Sequence, residues 1–105
     1  MLSEEEQARQ RRIEEEMYKV RVRMFVVNKC EMCDAARDWL KKEGLSSSEL
    51  NVDDSPDAVA ELRKLTSSQR VPVFDVEGEV LVGFAPTTVL GAVRRAADKH
   101  THFLR

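Results

Sequence analysis

Met24-Phe25-Val26-Val27-Asn28-Lys29-Cys30-Glu31-Met32-Cys33-Asp34-Ala35-Ala36-Arg37-Asp38-Trp39-Leu40 is the stretch whose reading decides the fold. Val20 to Val27 begins with period-2 alternation and closes in a continuous apolar run, the pattern of a strand entering a buried sheet. After Asn28-Lys29 the period changes. Met32, Ala36, Trp39 and Leu40 fall on one face of a helix expected over Glu31 to Glu43, with Gly44 placed to terminate it. That strand-to-helix junction puts Cys30 at the helix N-cap and Cys33 nearly one turn inside.

The same spacing carries chemistry. A thiolate, not a thiol, attacks a disulfide, and a free cysteine with a pKa near ~8.5 is mostly protonated at neutral pH. Unpaired N–H groups and the positive end of the helix dipole favour the anion at Cys30, and Lys29 adds a neighbouring positive charge. Cys33 lies close enough to close a disulfide, and its position inside the helix shields it. Cys30 is therefore expected to be the nucleophile and Cys33 the resolving thiol. A purely structural role is disfavoured, because so short a loop removes little entropy from the unfolded chain.

Outward from this core, Glu49-Leu50-Asn51-Val52 reads as a short strand with three serines before it. Ser55 caps and Pro56 opens a helix to about Thr66, with Val59, Leu62 and Leu65 as its apolar positions. Val71 to Val76, a Glu77-Gly78 turn and Glu79 to Gly83 read as a hairpin. Pro86 opens a last helix to about Lys99 with Val89, Leu90, Val93 and Ala97 inward. Ahead of all this, residues 4 to 19 read as a charged helix capped by Ser3, with Glu6 completing a capping box and Glu5–Arg9 and Glu15–Lys19 as (i, i+4) pairs. Only Ala8, Ile13, Met17 and Tyr18 are candidates for burial there. The organisation expected is an appended helix (1–19), one βαβαββα domain (20–99) with a mainly parallel sheet, and a polar tail (100–105) carrying His100 and His102.

Composition sets the bounds. The chain has 105 residues, room for one domain, and 17 Lys plus Arg against 19 Asp plus Glu give a net charge of −2. Such a balance supplies no field for a phosphate backbone or an anionic membrane, so no nucleic acid and no membrane are expected as partners. No apolar run approaches the roughly 20 residues of a spanning helix, and the acidic start is unlike an export signal. A cytoplasmic location is the expectation.

The dithiol stretch, with Arg70-Val71-Pro72-Val73-Phe74 and Val82-Gly83-Phe84-Ala85-Pro86, resembles the glutaredoxin-like branch of the thioredoxin fold over about Arg21 to Ala97. The resemblance implies an α/β, glutaredoxin-type βαβαββα fold. It also implies a cis proline at Pro72, with Val71 beside it in the substrate-binding segment, and Arg70 where the family has threonine. Glu-Met replaces the Pro-Tyr usual between the cysteines, and the Gly-Gly-x-Asp-Asp glutathione clamp is absent. Gly83-Phe84-Ala85-Pro86 in its place is similar to the Gly-Phe-x-Pro of redoxins that serve ribonucleotide reductase and draw on thioredoxin reductase. The dithiol helix with Trp39-Leu40 also has a likeness to arsenate-reductase-like proteins, which are longer.

Two function classes stand open. One is a small thiol-disulfide oxidoreductase acting through Cys30 and Cys33, with Lys29, Val71, Pro72, Gly83 and Phe84 facing the substrate. It would hold no bound cofactor or metal and take glutathione or a thioredoxin reductase as electron donor; its partners would be a disulfide-containing protein or small molecule and a reductase. The other is a redox-sensing or metal-binding module using the same pair, with only His100 and His102 as further soft ligands. Weak self-association through the N-terminal helix is expected as a minor partner contact.

Overall fold

The computed structural model describes residues 1–102. Its elements are α1 (Glu4–Met17), β1 (Val22–Val26), α2 (Glu31–Lys42), β2 (Ser47–Asn51), α3 (Pro56–Leu65), β3 (Val73–Val76), β4 (Glu79–Val82) and α4 (Pro86–His102). The strands form one sheet in the order β2-β1-β3-β4. β1 and β2 are parallel, whereas β1–β3 and β3–β4 are antiparallel. The expectation was a mainly parallel sheet with antiparallel strands added by the closing hairpin; the hairpin is antiparallel, but β1–β3 is antiparallel too, so the structure corrects the mainly parallel part. Ten-residue α3 spans only about 15 Å, and residues 66–72 after it are enough chain to run back along the sheet. β3 consequently enters from the end at which β1 leaves.

The pleat of β1 sends alternate side chains to opposite faces. Val22, Met24 and Val26 join Phe74 and Val76 beneath α2 and α4, where Ala36, Leu40, Val89, Val93 and Ala97 complete the larger core. Phe25 and Val73 face the other way and pack with Leu62 of α3. The continuous apolar run of β1 is thus buried on both faces, as its sequence pattern required. Met24, Phe25 and Phe74 are fully shielded from solvent. Removing a side chain such as Phe74 would cost about 3–5 kcal/mol.

Local signals account for most boundaries. The Ser3 hydroxyl accepts the Glu6 N–H at 3.2 Å and the Ser55 hydroxyl accepts the Ala58 N–H at 3.2 Å. Gly44 ends α2 at φ 69°, in the left-handed region that a residue with a side chain resists. Glu77 and Gly78 both take positive φ, the geometry of the tight hairpin turn.

Four further expectations about the domain differ. β2 takes in Ser47 and Ser48, which were expected to precede it; an edge strand facing solvent needs backbone partners more than apolar side chains, and β1 supplies them. Met32 is 52% exposed because it sits in the first turn of α2, beyond the sheet end. Val59 of α3 is also exposed. Lastly, α4 runs on through His102, so His100 and His102 belong to a helix and not to a tail; the remainder of the expected tail, 103–105, lies outside the described residues.

The N-terminal helix lies along α4. Met17 is buried and Ile13 packs on the core, but Tyr18 is exposed. The expected pairs along α1 are replaced: Arg9 reaches off the helix and donates to both Asp98 carboxylate oxygens at 3.0–3.1 Å, and Lys19 pairs with Glu16 at 3.5 Å instead of with Glu15. Among the described residues, no helix is long and apolar enough to cross a membrane.

Candidate active site

Register alone assembles the site. Phe25 pairs with Val73, and Val73 with Val82, so the residues after β1, before β3 and after β4 meet at one end of the sheet. Those residues are Lys29-Cys30, Val71-Pro72 and Gly83-Phe84. β2 is parallel to β1, so Asn51 and Asp53 reach the same end.

Cys30 is the N-cap of α2, with extended backbone (φ −121°, ψ 102°). Its Sγ accepts the Cys33 N–H at 3.1 Å, the contact that Ser, Thr or Asp oxygens make at other helix starts. Sulfur in that position receives a donor and the positive end of the helix dipole together. The two cysteines stand at disulfide distance, with Cα atoms 5.2 Å apart. Cys30 is partly exposed, whereas Cys33 is 1% exposed beneath it. Lys29, exposed, has φ 53°, a left-handed turn in the step from β1 to the cap. Glu31 is exposed on the first turn.

The loop under the dithiol is held by side chains of the β2–α3 junction. Asp53 accepts the Asn28 backbone N–H at 2.8 Å, and the Asn51 side-chain amide donates to Asn28 Oδ1 at 2.9 Å. From α2, Arg37 grips both Glu49 oxygens at 2.6 Å and Asp34 at 2.7 Å. These hydrogen bonds, those to Glu49 first, raise the Arg37 pKa, and the bonds from Arg37 lower that of Glu49. Sequence reasoning missed this frame. Its signal lay in paired polar residues at strand ends, Asn28 and Asn51 with Asp53, whose partners only the sheet register reveals.

On the opposite wall the Val71–Pro72 bond is cis and Pro72 is buried. The Gly83 N–H donates to the Pro72 carbonyl at 2.8 Å, tying the two loops together. Gly83 has φ 86°, and the Arg70 guanidinium stands 4.0 Å from where a Cβ on Gly83 would be. Phe84 is half-buried, its ring 5.9 Å from that of Trp39 and 6.1 Å from that of Phe74. It joins α2 to the sheet. Trp39 is likewise only partly buried, at the rim of the core. His100, one of the two imidazoles a metal site would need, is engaged with Glu16 and Glu77 at the other end of the sheet.

A four-stranded β2-β1-β3-β4 sheet with a Cys-x-x-Cys at a helix N-terminus and a cis proline opposite defines a thioredoxin-fold dithiol protein. The Glutaredoxin family model matches residues 22–81, more than half of the chain, and the chain belongs to that family. It is 27% identical over 63 residues to an uncharacterised glutaredoxin-like 8.6 kDa protein of the rubredoxin operon of Clostridium pasteurianum, a match covering 60% of this chain and 84% of that one. Among solved structures it is similar to the glutaredoxin-like NrdH-redoxin of Escherichia coli, described as having a thioredoxin-like activity profile. That likeness has a TM-score of 0.61 and 25% identity, and covers 68% of this chain and 92% of the redoxin. A glutaredoxin of Archaeoglobus fulgidus shares the fold at a TM-score of 0.63 and 18% identity, over 76% of this chain and 92% of that one.

Proposed function

We propose that the protein is an electron carrier that reduces disulfides by dithiol exchange. The observation that carries the reading is the Cys30 sulfur at the head of α2, accepting the Cys33 N–H with Cys33 buried behind it. In the reduced protein the same N–H and helix terminus favour the Cys30 thiolate. That thiolate attacks one sulfur of a substrate disulfide; the S–S bond breaks, and the departing thiolate takes a proton. Cys33, deprotonated, then attacks the Cys30 sulfur of the mixed disulfide, which releases the second substrate thiol and leaves Cys30–Cys33 oxidised. Two electrons and two protons pass to the substrate in each cycle.

The donor follows from the same end of the sheet. Gly83-Phe84-Ala85-Pro86 leads directly into α4 and offers no acidic side chain to a glutathione amine. Glutathione therefore binds weakly, and a thioredoxin reductase is the donor, which the likeness to a redoxin of thioredoxin-like activity supports. Lys29, Val71, Pro72, Gly83 and Phe84 line the substrate approach, and Met32, exposed between the cysteines, adds an apolar contact. The partners are a disulfide-bearing protein or small molecule and the reductase. A reducing compartment such as the cytoplasm suits this cycle.

The test is a coupled assay with the oxidised protein as carrier and a disulfide substrate. Thioredoxin reductase with NADPH is expected to sustain turnover, and glutathione with its reductase to do so poorly. Failure of both donors to reduce the protein would overturn the reading.

A further inference from the structure

The end of the sheet away from the dithiol holds a histidine between two carboxylates. His100 on α4 directs Nδ1 to Glu16 Oε1 of α1 at 3.1 Å and Nε2 to Glu77 Oε1 of the β3–β4 turn at 2.7 Å. Each carboxylate has one more partner: Lys19 Nζ lies 3.5 Å from Glu16 Oε2, and the Arg21 N–H donates to Glu77 Oε2 at 2.9 Å. Glu16 is buried, at 7% exposure, beside Met17 in a helix that is otherwise mostly exposed.

We propose that His100 is a proton-operated latch that holds the N-terminal helix α1 against the domain. A carboxylate only accepts hydrogen bonds, and neutral imidazole has one N–H and one lone pair. Both ring nitrogens face carboxylate oxygens, so only the imidazolium satisfies the pair. Loss of its proton leaves one lone pair against a carboxylate oxygen and frees α1 or the hairpin turn from the bridge. Lys19 beside Glu16 and Arg21 near Glu77 keep their charge at alkaline pH, but among the described residues neither forms an ion pair with both carboxylates. On the helix of His100, Asp98 is bound to Arg9, Lys99 is exposed, and His102 lies 3.8 Å from Asp98; on the sheet Arg23 is bound to Asp75 and Glu61. Glu16, Glu77 and His100 share the wall of an open cavity of about 850 Å³, so protons exchange freely with solvent.

The electrostatics run the same way. The Glu77 bond above all, then the Glu16 bond, raises the His100 pKa above its ordinary 6.5 against the opposing effect of desolvation. Desolvation pushes Glu77 up, but its bonds from His100 and the Arg21 amide outweigh it and lower its pKa. A group whose folded-state pKa is raised contributes its full stability below the unfolded value and loses it as pH rises through the folded value. The latch is therefore closed below pH 6.5 and opens on the alkaline side of the His100 pKa.

Millisecond-pulse hydrogen exchange of the α1 amides, corrected for the intrinsic rate at each pH, tests this on the full chain. Protection of α1 is expected to fall severalfold between about pH 6 and about pH 9, as the bridge to Glu16 and Glu77 loses its proton. Protection of β1 is expected to stay level. In His100→Gln the α1 protection should be low and flat with pH, and Glu16→Ala, which removes only the α1 side of the bridge, should behave alike. Equal protection at both pH values in the unaltered protein, or the same fall persisting in either variant, would overturn the proposal. A His100 ring-proton titration centred at or below 6.5 would do so as well.

Discussion

The two ends of the sheet commit their charges differently. At the dithiol end polar groups hold the backbone beside the cysteines, with Asp53 on the Asn28 N–H, Cys30 on the Cys33 N–H and the Pro72 carbonyl on the Gly83 N–H. Lys29, Glu31 and Arg70 there form no ion pair among the described residues. At the far end side chains bind one another: Arg23 with Asp75 and Glu61, and His100 with Glu16 and Glu77. A rigid loop with uncommitted charges beside it suits exchange chemistry, in which the sulfur must keep its place while partners come and go. Committed charges suit the joining of elements.

The largest expected effect breaks the comparison at its chemical end. Cys30→Ser should reduce disulfide turnover to the uncatalysed background in the coupled assay while leaving the thermal transition nearly unchanged, because the serine hydroxyl still caps α2. Turnover within a few-fold of the parent would show that Cys30 is not the attacking group.

Next in size is a change at the far end. Asp75, 9% exposed, accepts from Arg23 Nη2 at 2.6 Å and Nε at 3.0 Å and from the Gly78 N–H at 2.8 Å. Asp75→Asn should lower urea stability by about 1–3 kcal/mol, since charged hydrogen bonds are weakened at a buried group. Turnover at a temperature where the variant is folded should match the parent. A loss of turnover without a loss of stability would show that the two ends are coupled.

The smallest effect concerns the uncommitted charges. Glu31 favours the start of α2 through the helix dipole but opposes a negative charge on the adjacent Cys30 sulfur, and Lys29 acts in the reverse sense. Both side chains are solvent-screened, so each change should move the thiol by less than about one pKa unit. Glu31→Gln should lower the Cys30 pKa and raise the reduction potential, and Lys29→Gln should do the opposite. Thiolate absorbance near 240 nm through a pH titration is the measurement. Superimposed curves would mean that the helix terminus alone sets the thiol.

What was legible in the sequence was local. The cap at Cys30, the buried Cys33, the stop at Gly44 and the Glu77-Gly78 turn each depend on a few neighbouring residues, and each stands where its residues imply. Register was not legible. The direction of β3 depends on the path of residues 66–72, and neither hydrophobic period nor turn chemistry encodes that path. Asn28 and Asp53, 25 positions apart, and His100 and Glu16, 84 apart, become partners only once the sheet and the α1–α4 packing exist. Met32 fits the apolar stripe of α2, yet the first helical turn projects past the sheet and leaves it in solvent.

The central claim is the division of labour between the two sulfurs, and trapping tests it most directly. Each single-cysteine protein, Cys33→Ser and Cys30→Ser, is mixed in reduced form with a disulfide substrate, and the adduct is read by intact mass. Cys33→Ser should accumulate one covalent substrate thiol at Cys30, because no second thiol is present to release it, and Cys30→Ser should stay unmodified because Cys33 is buried. Accumulation at Cys33 in Cys30→Ser, with none in Cys33→Ser, would contradict the account.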